Sequence, residues 1–135
     1  EAIYSIDLNG KCTFCNTSAV KLLGYKSPEE LLGRNMHQLI HHSRRDGTEL
    51  PVQECKIFQA NMQGKGYKAD DEVFWRADGT FFDAEYHAYP QIKDGKVVGA
   101  VITFLDITDR KKREDEIKHL SYHDPLTGLY NRRYL

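Results

Sequence analysis

Histidines, cysteines and one acidic corner are the residues of this sequence that could do chemistry. His37 and His41 stand four apart, with His42 directly after the second. If that stretch is helical, His37 and His41 share a face. A metal could take imidazoles there, and a haem iron could take one over a large apolar pocket. A metalloprotease is excluded, because Gln38 stands where that chemistry needs a glutamate. Cys12 and Cys15 form a C-x-x-C. On a strand, residues three apart point to opposite faces, which disfavours joint ligation, and the sequence holds no second such pair. Cys55 is the third cysteine, and an odd count fits free thiols in a reducing compartment better than a disulfide framework. No nucleophile–base pair and no paired carboxylates stand at a telling spacing. No catalytic residue and no metal site is therefore assigned, and the chain itself is not expected to be an enzyme. The acidic corner is Asp106-Ile107-Thr108, which ends the last apolar run.

Composition narrows the function further. With 135 residues, 40% hydrophobic and 29% charged, the chain has one globular domain's worth of core and no room for a second. A net charge of -1 lacks the basic excess of a nucleic-acid binder. No apolar run approaches the roughly 20 residues of a membrane span, so no membrane contact is expected of this stretch. With the cysteine usage of a reducing compartment, a cytoplasmic location is expected. The chain opens in mid-pattern at Glu1-Ala2-Ile3, so it is expected to be a piece of a longer protein, which could itself be membrane-anchored.

The elements that must position these residues can be read in order. Ala2 to Leu8 and Lys11 to Cys15 flank Asn9-Gly10, a dipeptide suited to a two-residue hairpin. Asn16 suits a helix N-cap before Ala19, Val20 and Leu23. Ser27, Pro28 and Glu30 spell a capping box, with Leu31 and Leu32 as the apolar face behind it. Met36, Leu39 and Ile40 predict one or two helical turns, followed by a polar loop closed by Asp46-Gly47. Pro51 begins a further predicted helix through Cys55, Phe58 and Met62. Asp71 to Arg76, Thr80 to Tyr89 and Lys96 to Leu105 read as strands joined at Asp78-Gly79 and Asp94-Gly95. Phe82, Ala84, Tyr86 and Ala88 alternate with polar neighbours, so one face of the middle strand is buried. The last strand is apolar on both faces, which marks a central position. The predicted fold class is α+β. It is a five-stranded antiparallel sheet in the order 2-1-5-4-3, with short helices on one face and a C-terminal connector helix.

This order of elements resembles a PAS domain over residues 1–108. The marks are Asp78-Gly79 before the long strand, Gly99 inside the last strand and Asp106-Ile107-Thr108 at its end. A bacterial subgroup carrying His41-His42-Ser43, Asp46-Gly47, Cys55 and Glu72-Val73-Phe74-Trp75-Arg76 is the nearer likeness. The sequence departs from it at Cys15 and at Asp83-Ala84, where a Pro-Val pair is usual and a wider pocket wall would result. Residues 123–135 carry Asp124-Pro125-Leu126-Thr127-Gly128-Leu129-Tyr130-Asn131-Arg132-Arg133, which is similar to the opening of GGDEF diguanylate cyclase domains. The resemblance implies a parent protein that makes cyclic di-GMP from two GTP. The metal carboxylates, guanine-binding residues and signature loop of that family lie beyond this opening segment.

The PAS likeness implies a sensory module, and a pocket is the default for a sheet half-covered by helices. Its expected walls are Cys55, Phe58, Tyr86, Ala88 and Phe104, with His42, Asp46 and Arg76 to orient a ligand. The same residues read equally well as core. No cofactor is assigned. Haem through His41 or His42 competes with simple hydrogen bonding around the Asp46-Gly47 turn. Flavin photochemistry needs Asn-Cys-Arg-Phe, and Cys55 sits in Glu54-Cys55-Lys56-Ile57. Asp106, Ile107 and Thr108 are the expected transmission residues. The expected partners are a second copy of the chain and a downstream GGDEF domain in the same parent. The alternative is a ligand-free PAS unit that only dimerises.

Residues 109–122 form the expected connector. From Asp109 to Lys118 nine of ten residues are charged. Arg110, Lys111 and Lys112 precede Glu114, Asp115 and Glu116, the less favourable order for i,i+4 pairs and for the helix dipole. Ile107, Ile117 and Leu120 are too few for a strong heptad seam. This helix should be marginal alone and stabilised by pairing. Circular dichroism of an isolated 109–122 peptide should show little helix; a fully helical monomeric peptide would contradict this.

Overall fold

The computed structural model describes residues 1–114. The rest of the connector and the GGDEF-like segment at 123–135 lie outside the described residues. Five strands form one antiparallel sheet: β1 (Ala2–Asp7), β2 (Cys12–Cys15), β3 (Tyr67–Trp75), β4 (Phe81–Lys93) and β5 (Lys96–Asp106), in the order β2-β1-β5-β4-β3. This is the predicted order, and its cause is visible in the register. β1 pairs along β5 from Ala2↔Phe104 to Asp7↔Gly99. The chain's most apolar strand therefore has a neighbour on both sides. The helices α1 (Thr17–Leu22), α2 (Met36–Ile40) and α3 (Lys56–Gln63) are short, 3-10 turns lie at Pro28–Glu30 and Val52–Glu54, and α4 is described over residues 108–114. Tyr4, Phe74, Phe82, Tyr86 and Phe104 fill the space between sheet and helices, each at most 1% exposed. Among the described residues no helix is long and apolar enough to cross a membrane.

Local chemistry sets the element ends much as expected. Asn16 accepts a hydrogen bond from Ala19 N at 3.0 Å and caps α1. The Ser27–Glu30 capping box is present, but it starts a single 3-10 turn, after which Leu31 is buried and Leu32 is 40% exposed. The helix expected from Pro51 is in two pieces. Cys55 is extended (φ -76°, ψ 120°), so the turn at Val52–Glu54 stops and α3 starts afresh. Asn9-Gly10 is not the central pair of a two-residue turn. Only Gly10 takes positive φ (80°), Gly10 N donates to Asp7 O, and the Asp7 carboxylate accepts from Asn9 and Lys11 N. Asp94-Gly95, with φ 53° and 77°, does supply the left-handed pair.

Bulges account for the larger differences from expectation. Between Ser5/Ile6 the pairing steps from Phe14 to Cys12, leaving Thr13 extra. Cys12 and Cys15 therefore both point into the core, not to opposite faces, and both are buried free thiols. β3 begins at Tyr67, four residues earlier than predicted, because a shift between Ala69/Glu72 keeps it paired with β4. β4 runs on to Lys93 through Pro90, beyond the last β3 pairing at Ala88. There the missing proline N–H costs no bond to β3.

Gly99 lies where β5 passes closest to β1. A Cβ built at this position would run into the Ile6 carbonyl oxygen. Backbone, unlike a side chain, cannot swing away. Gly99→Ala should therefore destabilise the domain by about 3 kcal/mol, at the upper end of overpacking costs, measured by urea unfolding.

Candidate functional site

Three separate stretches converge under the sheet. Asn35 caps α2 by accepting from Gln38 N at 3.0 Å, which holds His37 and His41 one turn apart. The break at Cys55 aims its thiol back toward α2. On β3 the bulge between Ala69/Glu72 pairs Glu72 with the inward-facing Ala84. Without that extra residue Glu72 would point to the opposite face. The result is a line of hydrogen bonds: Cys55 Sγ to His41 Nδ1 at 3.3 Å, then His41 Nε2 to Glu72 Oε1 at 2.7 Å. Tyr86 Oη donates to the same Glu72 oxygen at 2.9 Å, and Lys56 Nζ lies 3.7 Å from the other. His41 is 2% exposed and packs edge-on against Phe74, Tyr86 and His37.

The electrostatics follow from this line. Burial disfavours a charged imidazole, but hydrogen bonds to Cys55 and Glu72 outweigh it, and the His41 pKa stands above its ordinary value. Burial likewise pushes the Cys55 thiol up, yet the imidazoles of His37 and His41 pull it below its ordinary value. Glu72 is lowered despite burial, held ionised chiefly by His41. Burial and the Glu72 charge push the Tyr86 phenol far up, so it remains a donor. Thiol, imidazole and carboxylate in this order draw the Cys55 sulfur toward its ionised form beside an imidazole oriented by Glu72.

Beside this line lies a cavity of about 240 Å³, just under the ~300–1,000 Å³ of drug-sized sites. Its walls include Tyr4 and Ile6 from β1, His37 and His41 from α2, and Cys55, Phe58 and Asn61 from the α3 region. Two polar atoms buried in this wall, His37 Nδ1 and Asn61 Oδ1, have no hydrogen-bond partner among the described residues. Asn61 is 1% exposed and spends its amide N–H on Asp7 O at 2.9 Å.

Of the eight residues expected to form a pocket, Cys55 and Phe58 line this cavity. Tyr86 supports Glu72, while Ala88 and Phe104 are buried core. The expected polar set is not brought together. His42 stacks on Trp75 with ring centroids 5.3 Å apart and bonds Ser43 at 2.7 Å. Asp46 closes its own turn by accepting from Thr48 N and Oγ1. Arg76 reaches Thr80, the Phe81 carbonyl and Asp106. Asp83 lies on the opposite face from Ala84 and pairs with Arg45, so it is no part of the cavity wall. Glu72 and Asn61 were not among the expected site residues. Asn61 carried a signal, a polar residue on the apolar stripe of α3 beside Ile57 and Ala60.

A family model described as the PAS fold matches residues 1–107. The chain is 31% identical over 133 residues to "Probable diguanylate cyclase DgcE" of Escherichia coli K12, covering 98% of this chain and 12% of that protein. It is 35% identical over 126 residues to "Diguanylate cyclase DgcM" of the same organism, covering 93% of this chain and 28% of that one. The chain thus spans less than a third of either relative. Among solved structures, the PAS domain of a Colwellia psychrerythraea protein superposes with a TM-score of 0.64 at 22% identity, over 81% of this chain and 87% of that one.

The hydrogen-bond line makes Cys55 the acidic thiol of the three. Cys12 is pushed up to about 12, first by burial and then by the neighbouring Cys15. Cys15 is also raised by burial. With a chelator present, ultraviolet thiolate absorbance should reveal one ionised cysteine below the ordinary thiol range of ~8.5. His41→Phe should move that titration upward. A wild-type protein with no thiolate below that range would contradict the assignment.

Proposed function

This chain belongs to the PAS family, and from that premise we propose that it is the sensory module of a bacterial diguanylate cyclase. In this proposal residues 1–108 hold a small molecule or contact a partner in the cytoplasm. Residues 109–122 carry the signal to a GGDEF domain that begins within 123–135. The likeness to two diguanylate cyclases over nearly the whole chain supports the output.

One observation carries the transmission step: the Asp106 corner is tied to the adjacent strand β4 and, beyond it, to Arg76 just past the end of β3. Arg76, just past the end of β3, lies 3.4 Å from Asp106 Oδ2, and Asp106 Oδ1 accepts from Thr108 N at 2.9 Å, at the start of α4. From β4, Asp83 O accepts from Ile107 N at 2.8 Å, and Asp83 N donates to Thr108 Oγ1 at 3.2 Å. Arg45 pairs with the Asp83 carboxylate, so the loop after α2 touches the same corner. Arg110 of α4 bonds Glu85 on β4 at 2.8 Å. A shift of the α2 loop or of β3 therefore reaches the first turn of α4 through side chains in direct contact. The connector then changes its crossing with that of a second copy, which governs how two cyclase domains meet. Phe14, Tyr89 and Leu105, each 45–52% exposed on the uncovered side of the sheet, offer such a copy an apolar face.

In the longer protein carrying this chain, Asp106→Ala should shift the rate of cyclic di-GMP synthesis to that of a version lacking the sensory module. Its urea midpoint should stay near wild type, because a partly exposed ion pair contributes about 1 kcal/mol or less. A synthesis rate equal to wild type would overturn the transmission role.

A further inference from the structure

We propose that His37, His41 and Cys55 are the protein ligands of a divalent transition-metal site of the zinc class, with the fourth position open to the cavity. One ring nitrogen from each histidine and the Cys55 sulfur lie within 4.8 Å of one another. Of these atoms, His41 Nδ1 and Cys55 Sγ are 3.3 Å apart. A tetrahedral ion with ordinary Zn–N and Zn–S lengths needs this edge to be about 3.5 Å.

The tautomers favour this assignment. His37 Nε2 faces the Leu50 carbonyl at 2.8 Å, and a carbonyl can only accept. The Nε2 proton is therefore committed there, and the lone pair sits on Nδ1. That Nδ1 is buried and without a hydrogen-bond partner among the described residues. A buried acceptor left bare costs roughly 1–3 kcal/mol, which a cation at this point would remove. His41 repeats the pattern, with Nε2 on the Glu72 carboxylate and Nδ1 toward Cys55. A carbonyl or carboxylate on the far nitrogen of each ligand imidazole is the usual outer support of a metal site. Glu72 is itself held by Tyr86 and Lys56.

The donor set selects the ion. One thiolate and two imidazoles suit zinc and its neighbours, and exclude magnesium and calcium, which take oxygen. On binding, the proton held between Cys55 and His41 leaves to solvent, and the sulfur and Nδ1 lone pairs pass to the metal. Three protein ligands leave one position, and the cavity beside them includes Asn61, whose carbonyl oxygen is also unpartnered among the described residues. The sequence alone assigned no metal. The i,i+4 histidines were visible, but the third ligand lies fourteen residues beyond His41.

The test uses the full chain, purified with a chelator, then titrated with Co²⁺ and back-titrated with Zn²⁺. The expected result is one Co²⁺ per chain with sulfur-to-cobalt charge-transfer bands and tetrahedral d–d bands, both removed by Zn²⁺. Cys55→Ser should abolish the charge-transfer bands. His37→Gln should weaken binding at least about 10-fold, and Glu72→Gln about 10- to 100-fold. The double variant Cys12→Ser/Cys15→Ser should keep the spectrum. Each variant's far-ultraviolet circular dichroism is compared with wild type; should Cys55→Ser misfold, the half-buried His37→Gln decides. No charge-transfer band in the wild type, bands surviving Cys55→Ser, or affinity unchanged in His37→Gln would overturn the site. The proposal rests on this geometry alone, so either result leaves the sensory reading to its own experiment.

Discussion

A buried imidazole shared between a thiol and a carboxylate organises this domain. His41 is almost fully buried, so both of its nitrogens need partners. Cys55 and Glu72 do so, from the start of α3 and the bulge of β3. Removing either partner would leave a buried polar atom bare, at a cost of roughly 1–3 kcal/mol. This is a large share of the stability of a small domain. The relative placement of α2, α3 and β3 is thus set by a directional polar constraint as well as by apolar packing.

The same strand joins this constraint to the Asp106 corner. Glu72 and Arg76 stand four residues apart on or just beyond β3, one bonded to the buried imidazole and the other to Asp106. The two ends differ in character. Around His41 the groups are desolvated and an exchange of partners is expensive. Around Asp106 they are partly exposed, and each ion pair contributes about 1 kcal/mol or less. A domain with a stiff interior and a lightly held exit can alter its exit without losing its fold.

The backbone plan was legible in the sequence, and the site only in part. Strand order followed from one fact, that Gly99 to Leu105 is apolar on both faces and must be central. Alternation at Phe82, Ala84, Tyr86 and Ala88 gave the buried face of β4, and Asn16 gave the start of α1. What failed to show was any device that adds one residue. The bulge at Thr13 turned Cys12 and Cys15 to the same side, and the one after Ala69 turned Glu72 inward. A period-of-two pattern cannot reveal where it slips. The extended Cys55 was equally silent, because Pro51 to Met62 keeps helical spacing across the break. The histidines were visible as a pair, but their partners are set by tertiary contacts.

The three thiols show why residue type alone could not locate the chemistry. All three are buried and unpaired by disulfide. At Cys12 burial acts with a neighbouring thiol, and at Cys15 burial again dominates, so both are pushed toward the neutral form. These two behave as small hydrophobic residues. At Cys55 the same burial is opposed by two imidazoles, one of them held by a carboxylate, and the balance reverses. The C-x-x-C motif, which drew attention in the sequence, therefore holds the two thiols kept neutral. The solitary cysteine is the one drawn toward its ionised form, because the fold brings it within reach of His37 and His41 and, through His41, of Glu72.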